Sequence, residues 1–599
     1  MKKIILPLAI LCILVQCSTS KPQQNVALQK EVDTYLTNYN KEYQKVLYAS
    51  SLAAWDANIN ITDENDAKSV VAEKAYAEFV GKAEAITKTK SFLAQKNELI
   101  DLQVRQLEEI ISNASSYPGT IPDVVNALIE AGQKQSSDMY GFEFSIDKNG
   151  KKEVLTTNQI DNILKKSTDL QERLAVWQAS KEVGKPLKKG LENLALLRNK
   201  VGREMGYTSY FNASTQNYGM SSKEMLTLMD KLINDLKPLY IELHTFARYE
   251  LAKKYNQPVP DLLPAHWLGN RWGQEWPGLV DAIDMDAGFK DKTPEWIVKH
   301  AEDFYTSIGF PKLNDTFWQK SDLYPPAAGD TRKKNNHASA WHLDNDQDYR
   351  SLMSVEPNFE WFGTTHHELG HIYYYIAYSN PNVPLLLRNG ANPAFHEGIG
   401  SLITLASGQE PYLRQKGLIG NEVKIDKAHY LLNQAFQEVV FLPFGAGTMT
   451  HFEHDLYETN LPMDQYNKTW WTYAKKYQGI VPPTERGEEY ADAATKTHIN
   501  DDPASYYDYV ISTVLYYQLH DHIAKKILKQ DPTNSNYYGN KEAGKFLWSI
   551  LEKGKTVDWR QLMKETTGED INAKAMLDYY KPLMEYLQKA NEGRQKSVF

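Results

Sequence analysis

Apolar residues recur every three or four positions along most of the chain, which is the spacing of amphipathic helices. The first such stripe begins at Val32 and includes Leu36 and Val46, and similar stripes continue to about residue 131. Another long stripe follows Ser221 and Glu224, which together have the form of a capping box at a helix start. The pattern therefore predicts a mostly α protein.

Two stretches depart from the helical pattern. Phe142, Phe144 and Ile146 alternate with polar residues before the turn signal Asn149-Gly150, which indicates a short hairpin, with an ordered loop as the alternative. Residues 256–280 are rich in Pro, Gly and Trp and predict irregular chain. Because the sequence contains neither an internal repeat nor an obvious linker, we expect one continuous domain over residues 18–599.

Residues 1–17 have the features of a targeting segment. Lys2 and Lys3 precede an apolar run over residues 4–15 that is too short to span a membrane. The end of this run resembles a bacterial lipoprotein signal with Cys17 as the lipidated residue, although Gln16 stands where a small residue is usual. A plain cleaved signal peptide is the alternative. Both predict export, to the periplasm or as an outer-membrane lipoprotein of a bacterium, with membrane contact only through a lipid anchor.

The amino-acid composition limits the kinds of molecule that this protein is expected to bind. The chain has 599 residues, of which 42% are hydrophobic and 24% charged, enough for a large core or for two lobes around a cleft. The formal net charge of -9, without a basic stripe, argues against nucleic acid as a partner. Both cysteines, Cys12 and Cys17, fall in the targeting segment, so no internal disulfide is expected. The 37 tyrosines and 13 tryptophans suit a core and also a peptide-binding cleft.

The sequence His367-Glu368-Leu369-Gly370-His371 is an H-E-x-x-H motif. On a helix, His367 and His371 project from one face, so that two neutral imidazoles can bind one zinc ion. Glu368 can then take the proton of a water molecule as general base. The motif alone also arises by chance in long chains, where its histidines have ordinary core or surface positions.

A third ligand distinguishes a catalytic zinc site from a chance motif. A catalytic site has three protein ligands and an open position. Downstream, Glu397 lies in a short segment opened by Pro393, which is a favourable first residue for a second helix. Two histidines and a carboxylate from the following helix form a catalytic pattern rather than a closed structural one.

Two further stretches have weaker chemical signals. Residues 337–341 could form an extended edge that pairs with a bound peptide, or a buried edge strand with an ordinary histidine. Residues 492–499 and 506–509 contain Tyr and His, which suit an oxyanion donor, and Lys496, which suits a substrate carboxylate. In a chain this rich in tyrosine, most tyrosines are structural.

Several longer stretches make a family resemblance specific. The chain resembles a single catalytic domain of the angiotensin-converting enzyme family of zinc peptidyl-dipeptidases, in a bacterial version. The matching stretches follow the family's order and are residues 267–274, 337–341, 366–371, 388–397, 441–444, 475–480 and 496–499. The resemblance implies a mostly α, two-lobed, gluzincin-like metallopeptidase with a deep central channel that acts on oligopeptides.

The resemblance also implies a role for each matching residue. Zinc would be bound by His367, His371 and Glu397, and Glu368 would act as general base and then as acid. The substrate would be bound by His498 and Tyr509 at the oxyanion, His337 and the backbone of Ala338 along the peptide, Gln274, Lys496 and Tyr506 at the C-terminal carboxylate, and Phe441 and Phe444 around the last side chain.

Gln274 separates two activities within the family. The relative that removes single residues has an arginine there, and the shorter glutamine keeps the carboxylate one residue further from the zinc. The resemblance therefore implies release of C-terminal dipeptides. A single-residue carboxypeptidase and an inactive binding or receptor member are the alternatives, and the intact set of metal ligands and base argues against the second.

Some positions depart from the family pattern. Animal members have paired cysteines and arginines that bind chloride; the arginine positions are Ala474 and Asp508 in this sequence. Weak or absent chloride activation is therefore expected. The family's aspartate four residues after the glutamate ligand is Ser401, and loss of such a supporting group reduces metal affinity or activity by about 10- to 100-fold.

Overall fold

The computed structural model describes residues 25–148, 150–280, 284–327, 329–420 and 422–599. The targeting segment, including Cys17, and the following residues up to Gln24 lie outside the described residues. Helices dominate the first half of the chain, which contains α1 (Val26–Ile59), α2 (Asp63–Val80), α3 (Ala83–Leu93), α4 (Asp101–Ala114), α5 (Pro122–Tyr140), α6 (Thr157–Lys166), α7 (Leu170–Lys181), α8 (Gly184–Glu204), α9 (Tyr210–Thr215), α10 (Ser222–Lys254), α11 (Pro294–Ser307) and α12 (Asp315–Lys320).

The second half of the chain is equally helical, and the prediction of a mostly α fold is confirmed. Its helices are α13 (Phe359–Tyr378), α14 (Pro393–Ser407), α15 (Glu410–Gln415), α16 (Lys427–Glu438), α17 (Thr450–Tyr457), α18 (Tyr466–Tyr473), α19 (Thr497–Asp501), α20 (Tyr507–His522), α21 (Lys541–Leu551), α22 (Trp559–Thr567), α23 (Lys574–Tyr579) and α24 (Lys581–Ala590). Three π-helical turns, Pro443–Met449, Ala474–Gln478 and Ile523–Leu528, extend α17, α18 and α20.

Strands are short and occur in pairs. They are β1 (Phe144–Lys148), β2 (Lys151–Leu155), β3 (Leu263–Pro264), β4 (Ser339–His342), β5 (Tyr349–Leu352) and β6 (Ile480–Val481). The predicted hairpin is confirmed, since β1 and β2 pair antiparallel with Lys148 opposite Lys151. β4 and β5 form a second antiparallel pair, whereas β3 and β6 are parallel. Residues 256–280 contain just β3 and one 3-10 turn, as their composition predicts.

The N-terminal helices form a unit beside the main core. α1, α2 and α4 enclose their own cluster of buried residues, which includes Val32, Leu36 and Leu107. The C-terminal end of α1 contacts the β4–β5 hairpin, where Trp55 packs edge-on against Trp341 with ring centroids 5.6 Å apart. This contact joins the N-terminal helices to the segment that the sequence assigns to substrate binding. In the described part of the chain, every helix is either too short or too polar to span a membrane.

Candidate metal centre and substrate cleft

The H-E-x-x-H motif lies in the middle of α13. Asn358 caps this helix by accepting a hydrogen bond from the Trp361 N–H at 2.8 Å. Phe362 is fully buried, and such apolar contacts fix the rotation of the helix in the core. His367 and His371 lie one turn apart, with their side chains 21% and 12% exposed. The motif therefore has the helical setting that metal binding requires.

The third predicted ligand comes from α14. Asn392 caps this helix by accepting from the Phe395 N–H at 3.1 Å, and Pro393 is its first residue. Glu397 follows one turn later, and its carboxylate is 44% exposed. The helix that the sequence predicted from Pro393 is confirmed.

Two glycines allow α13 and α14 to approach closely. A Cβ atom on Gly370 would lie 3.0 Å from the Cα atom of Gly400. A Cβ atom on Gly400 would lie 2.8 Å from three atoms of the His367 ring. Real Cβ atoms are essentially never found as close as 2.8 Å to another atom, so glycine at position 400 lets His367 lie against α14, and the contact at Gly370 is nearly as tight.

His367, His371 and Glu397 converge on one point. Their ligand atoms all lie within 4.8 Å of one another. The two Nε2 atoms are 3.1 Å apart, and the Glu397 oxygens lie 3.5 Å from His367 Nε2 and 3.8 Å from His371 Nε2. Ligands about 2.1 Å from a tetrahedral ion lie about 3.4 Å from each other, so this arrangement fits one zinc ion.

Burial and mutual charge perturb the acid-base properties of the cluster. Burial raises the pKa of Glu397, but a hydrogen bond and the charges of His367 and His371 outweigh it and lower the pKa to about 2. Burial lowers the pKa of His367, yet its contact with Glu397 leaves that pKa above the ordinary value. Burial and the charge of His367 hold the pKa of His371 well below the ordinary value. An ionised carboxylate thus faces two imidazoles, of which at least His371 is neutral.

Glu368 lies beside this cluster and is poised to exchange a proton. It is 7% exposed, and its Oε2 atom is buried without a hydrogen-bond partner in the described part of the chain. Burial raises the pKa of this carboxyl to about 7, with the nearby charge of Glu397 adding to the rise and that of His367 opposing it. A carboxyl with a pKa near neutrality suits a general base that later acts as an acid.

One of the predicted metal-binding histidines lacks a supporting hydrogen bond among the described residues. The Nδ1 atom of His371 is buried and has no hydrogen-bond partner there. Metal-binding histidines usually donate this second N–H to a carboxylate or carbonyl, which fixes the ring and increases its basicity. The expectation of weaker metal binding therefore stands as a prediction.

The three residues predicted to bind a C-terminal carboxylate meet around one atom. Gln274 Oε1 accepts from Lys496 Nζ at 2.6 Å and from Tyr506 OH at 3.2 Å. Lys496 is 4% exposed, and burial, followed by the charge of Arg271, lowers the pKa of its ammonium group to about 7. A carboxylate placed beside Gln274 Oε1 could accept from the same two donors.

An aromatic wall connects this group to the predicted oxyanion donors. The Tyr506 ring lies 5.5 Å from both Phe441 and Phe444, 5.1 Å from His498 and 5.3 Å from Tyr509, measured between centroids. The structure therefore brings all five predicted residues into one patch on α19, α20 and the chain that follows α16. Apolar rings beside a cationic group are suitable for the last side chain of a peptide.

His498 and Tyr509 have the protonation states that an oxyanion donor needs. Burial and the charge of Lys496 lower the pKa of His498, so the ring is neutral at neutral pH. Burial, followed by nearby carboxylates that include Glu397, raises the pKa of Tyr509 to about 12. The helix that contains Glu397 also packs against the helix that contains Tyr509, since a Cβ atom on Gly398 in α14 would lie 2.6 Å from Leu515 Cδ2 in α20.

His337 and Ala338 lie immediately before β4, so the predicted extended edge is confirmed for residues 339–341, and its pairing with a bound peptide stays a prediction. The side chain of His337 is exposed to solvent. The preceding chain is anchored by Lys334, whose Nζ donates to Asp322 Oδ1 at 2.5 Å and to Met353 O at 2.6 Å. These contacts fix the chain just before the edge.

Sequence reasoning missed several residues that support the site. Tyr218 is 1% exposed; its OH donates to Asp508 Oδ1 at 2.7 Å and accepts from the Ala394 N–H at 3.1 Å. It therefore links the start of α20 to the start of α14. An isolated glycine in a helical pattern could have indicated Gly400, but no sequence signal identifies Tyr218 among 37 tyrosines.

Fold and site together define a class, the mostly helical metallopeptidases with an H-E-x-x-H helix and a glutamate ligand on the following helix. The family model described as angiotensin-converting enzyme matches residues 26–598. The chain belongs to the angiotensin-converting enzyme family, and the family's two-lobed helical fold is the one predicted from the sequence.

Individual relatives agree with this assignment. The angiotensin-converting enzyme of the leech Theromyzon tessulatum is 30% identical over 582 residues, which cover 94% of this chain and 92% of that protein. The enzyme of the hamster Mesocricetus auratus is 30% identical over 581 residues, 93% of this chain. That of the rat, Rattus norvegicus, is 29% identical over 589 residues. The matched region spans just 43% of the length of each of the two mammalian proteins.

Proposed function

We propose that the protein is a zinc-dependent peptidyl-dipeptidase that releases C-terminal dipeptides from oligopeptides. The observation that carries the proposal is the convergence of His367, His371 and Glu397 within 4.8 Å, with the unpaired carboxyl of Glu368 beside them. Zinc bound by these three residues supplies a Lewis acid that polarises a peptide carbonyl and makes water more acidic. The rest of the reaction is assigned to side chains of the chain itself.

Glu368 is assigned the proton transfers. Its Oε2 atom is free to accept a proton from the attacking water, and a pKa of about 7 allows the same carboxyl to give that proton to the leaving amine. His498 and Tyr509 are assigned to the carbonyl oxygen, where negative charge develops. Tyr509 keeps its hydroxyl hydrogen at neutral pH because its pKa is raised to about 12, and the neutral ring of His498 keeps one N–H donor.

The residues around Gln274 are assigned to bind the C-terminal carboxylate of the substrate, which determines that the released fragment is a dipeptide. Lys496 and Tyr506 already converge on the Gln274 amide oxygen, and a substrate carboxylate would join these donors. Phe441 and Phe444 would contact the last side chain, and His337 with the backbone of Ala338 would hold the peptide as an added strand. An arginine in place of Gln274 would shift the carboxylate toward the metal and give single-residue release.

Mass spectrometry of a hexapeptide with a blocked N-terminus tests the proposal. We expect stepwise loss of dipeptides that stops when a zinc chelator is added and resumes when zinc is restored. Loss of single residues would instead favour a carboxypeptidase of the same family. Absence of cleavage in zinc-replete buffer would favour a binding or receptor protein.

Substitution of the base separates metal binding from catalysis. Glu368→Gln keeps the shape of the side chain but cannot accept a proton, so kcat should fall by about 100-fold or more. The zinc content, measured by elemental analysis, should remain that of the parent. A variant that retains zinc and cleaves peptides at the parental rate would refute the assignment of Glu368.

We also propose that the protein is exported and anchored by a lipid on Cys17, as the sequence of residues 1–17 suggests. Residues 18–599 would then form one catalytic domain. Metabolic labelling with palmitate would label the parent but not a Cys17→Ala variant. A soluble, unlabelled product that begins near residue 18 would support the plain signal peptide instead.

A further inference from the structure

Gln274 lies in a loop that has little regular structure of its own, so other parts of the chain must set its position. The preceding residue, Gly273, has a φ of 65°, a left-handed conformation that glycine adopts readily. A Cβ atom there would lie 2.5 Å from Ile480 Cδ1, so the loop passes directly against β6. The backbone just before Gln274 is therefore positioned by the chain around residues 478–480.

Gln478 makes the hydrogen bonds that hold this loop. Its Nε2 donates to Trp272 O and Gly273 O, each at 3.3 Å, and its Oε1 accepts from Thr448 OH at 2.9 Å. The side chain is 1% exposed, so every polar atom of the amide has a protein partner in place of water. Gln478 thus connects two successive carbonyls before Gln274 to a fixed point on the π-helical turn Pro443–Met449.

Gln478 and Gly479 are in turn held by two side chains of α10. The Tyr240 OH donates to Gln478 O at 2.7 Å, and His244 Nε2 lies 3.0 Å from Gly479 O. Burial lowers the pKa of His244 to about 3, so the ring is neutral and its Nε2–H donates to that carbonyl. The Nδ1 atom of His244 must then accept a hydrogen bond.

Residues 595–599 supply that hydrogen bond and cover the contact. The Ser597 OH donates to His244 Nδ1 at 2.7 Å, and the Phe599 ring lies 4.8 Å from the His244 ring. A Cβ atom on Gly479 would lie 2.5 Å from Phe599 Cε1, so Phe599 fills the space that a side chain there would take. Removal of Ser597 would leave His244 Nδ1 without the hydroxyl that donates to it, and removal of Phe599 would open a space beside the His244 ring and Gly479.

We propose that Ser597 and Phe599 act through His244 and residues 478–479 to position Gln274, and so set the affinity of the cleft for a free C-terminal carboxylate. This rests on the proposed function and concerns one end of the cleft. Ser597 and Phe599 are positioning residues, because they touch neither the substrate nor the metal ligands. A misplacement of the loop by about 1 Å is enough to weaken such a contact by a large factor.

Two matched substrates test the proposal, namely the blocked hexapeptide with a free C-terminal carboxylate and the same peptide as its C-terminal amide. Phe599→Ala should lower the ratio of kcat/KM for acid to kcat/KM for amide by about 3- to 10-fold, mainly through KM of the acid. Ser597→Ala should change the ratio in the same direction by less. Val598→Ala is the matched control, since that side chain is 86% exposed, and its ratio should equal that of the parent.

A double variant distinguishes positioning from general loss of structure. In a Gln274→Ala background the carboxylate contact is already impaired, so adding Phe599→Ala should change the ratio no further. An equal effect of Phe599→Ala on both substrates, or an undiminished effect in the Gln274→Ala background, would overturn the proposal. Failure of the parent to release dipeptides from the acid would instead overturn the proposed function.

Discussion

At the scale of single residues, the buried ammonium of Lys496 gives the site a pH dependence of its own. Burial, with the charge of Arg271, lowers its pKa to about 7, so the charged form that binds a carboxylate is lost as the pH rises above 7. We expect the ratio of kcat/KM for a free acid to that for the matching amide to fall above pH 7, by up to about tenfold per pH unit.

The amide serves as the control because Glu368 also titrates near pH 7 and affects both substrates alike. Steady-state kinetics over a pH series would provide the ratio. A ratio that stays constant on both sides of pH 7 would contradict the role assigned to Lys496.

A second prediction at this scale concerns chloride and rests on Asp508 and Ala474. Asp508 accepts a hydrogen bond from Tyr218 at 2.7 Å, and burial raises the pKa of its carboxyl to about 8. Ala474 contributes a buried methyl group. Since neither residue has a cation for an anion to contact, peptide cleavage should show little or no stimulation by chloride.

Assays in sodium chloride and in sodium acetate of equal ionic strength separate chloride binding from general screening. Similar rates in the two salts are expected. Strong, saturable stimulation by chloride alone would show that other residues form an anion site.

At the scale of elements, the contact between α13 and α14 controls the metal centre. Gly400→Ala would place a Cβ atom 2.8 Å from the His367 ring, so the ring or the helix must move. Displacement of one ligand should lower zinc affinity by about 10- to 100-fold, comparable to loss of a supporting contact. Competition with a chromogenic chelator would measure the affinity independently of activity.

Gly132→Ala is the matched control, because a Cβ atom on Gly132 in α5 would meet no atom within 4 Å. It should leave zinc affinity unchanged. Equal affinities for the parent and Gly400→Ala would mean that α14 can shift without moving His367.

Some helices and site residues could be predicted from the sequence, and others could not. Capping residues and periodicity predicted α10 and α14, because these signals act within one or two turns of the helix that they define. The metal ligands and Glu368 were identifiable because H-E-x-x-H is local. Tyr218, Gln478 and the Gly400 contact escaped notice, since they depend on which distant segments meet. Gln274 and Lys496, 222 positions apart, were brought together by family resemblance and not by any local pattern.

At the scale of the whole molecule, Trp55 is one of the residues that join the N-terminal helices to the rest of the chain. Trp55 is 1% exposed and packs between Trp341 and the guanidinium of Arg350. Trp55→Ala should reduce the free energy of unfolding by about 3–5 kcal/mol, the usual range for a buried aromatic residue. Denaturant titration followed by circular dichroism would measure the change.

Val71→Ala on α2 is the control, because that side chain is 68% exposed and should contribute less than about 0.5 kcal/mol. If the Trp55→Ala variant were as stable as the parent, the contact between α1 and β4 would contribute nothing to the free energy of unfolding. Residues 25–599 contain no cysteine, so this junction depends on non-covalent contacts, which include the hydrogen bond from Gln44 Nε2 to Asp344 O at 3.0 Å.

Gln478 is the last residue of the π-helical turn Ala474–Gln478, so the direction of its side chain depends on the number of residues in that turn. The length of the coding sequence before Gln478 therefore affects which peptides the protein accepts. An α-helix turns about 100° per residue, so deleting one residue from this turn would restore the α-helical period and rotate the next side chain by that angle. Gln478 would then face away from the Gln274 loop while α18 and the metal ligands kept their places. A single in-frame deletion could thus alter which peptide ends are accepted without changing any residue that touches the peptide.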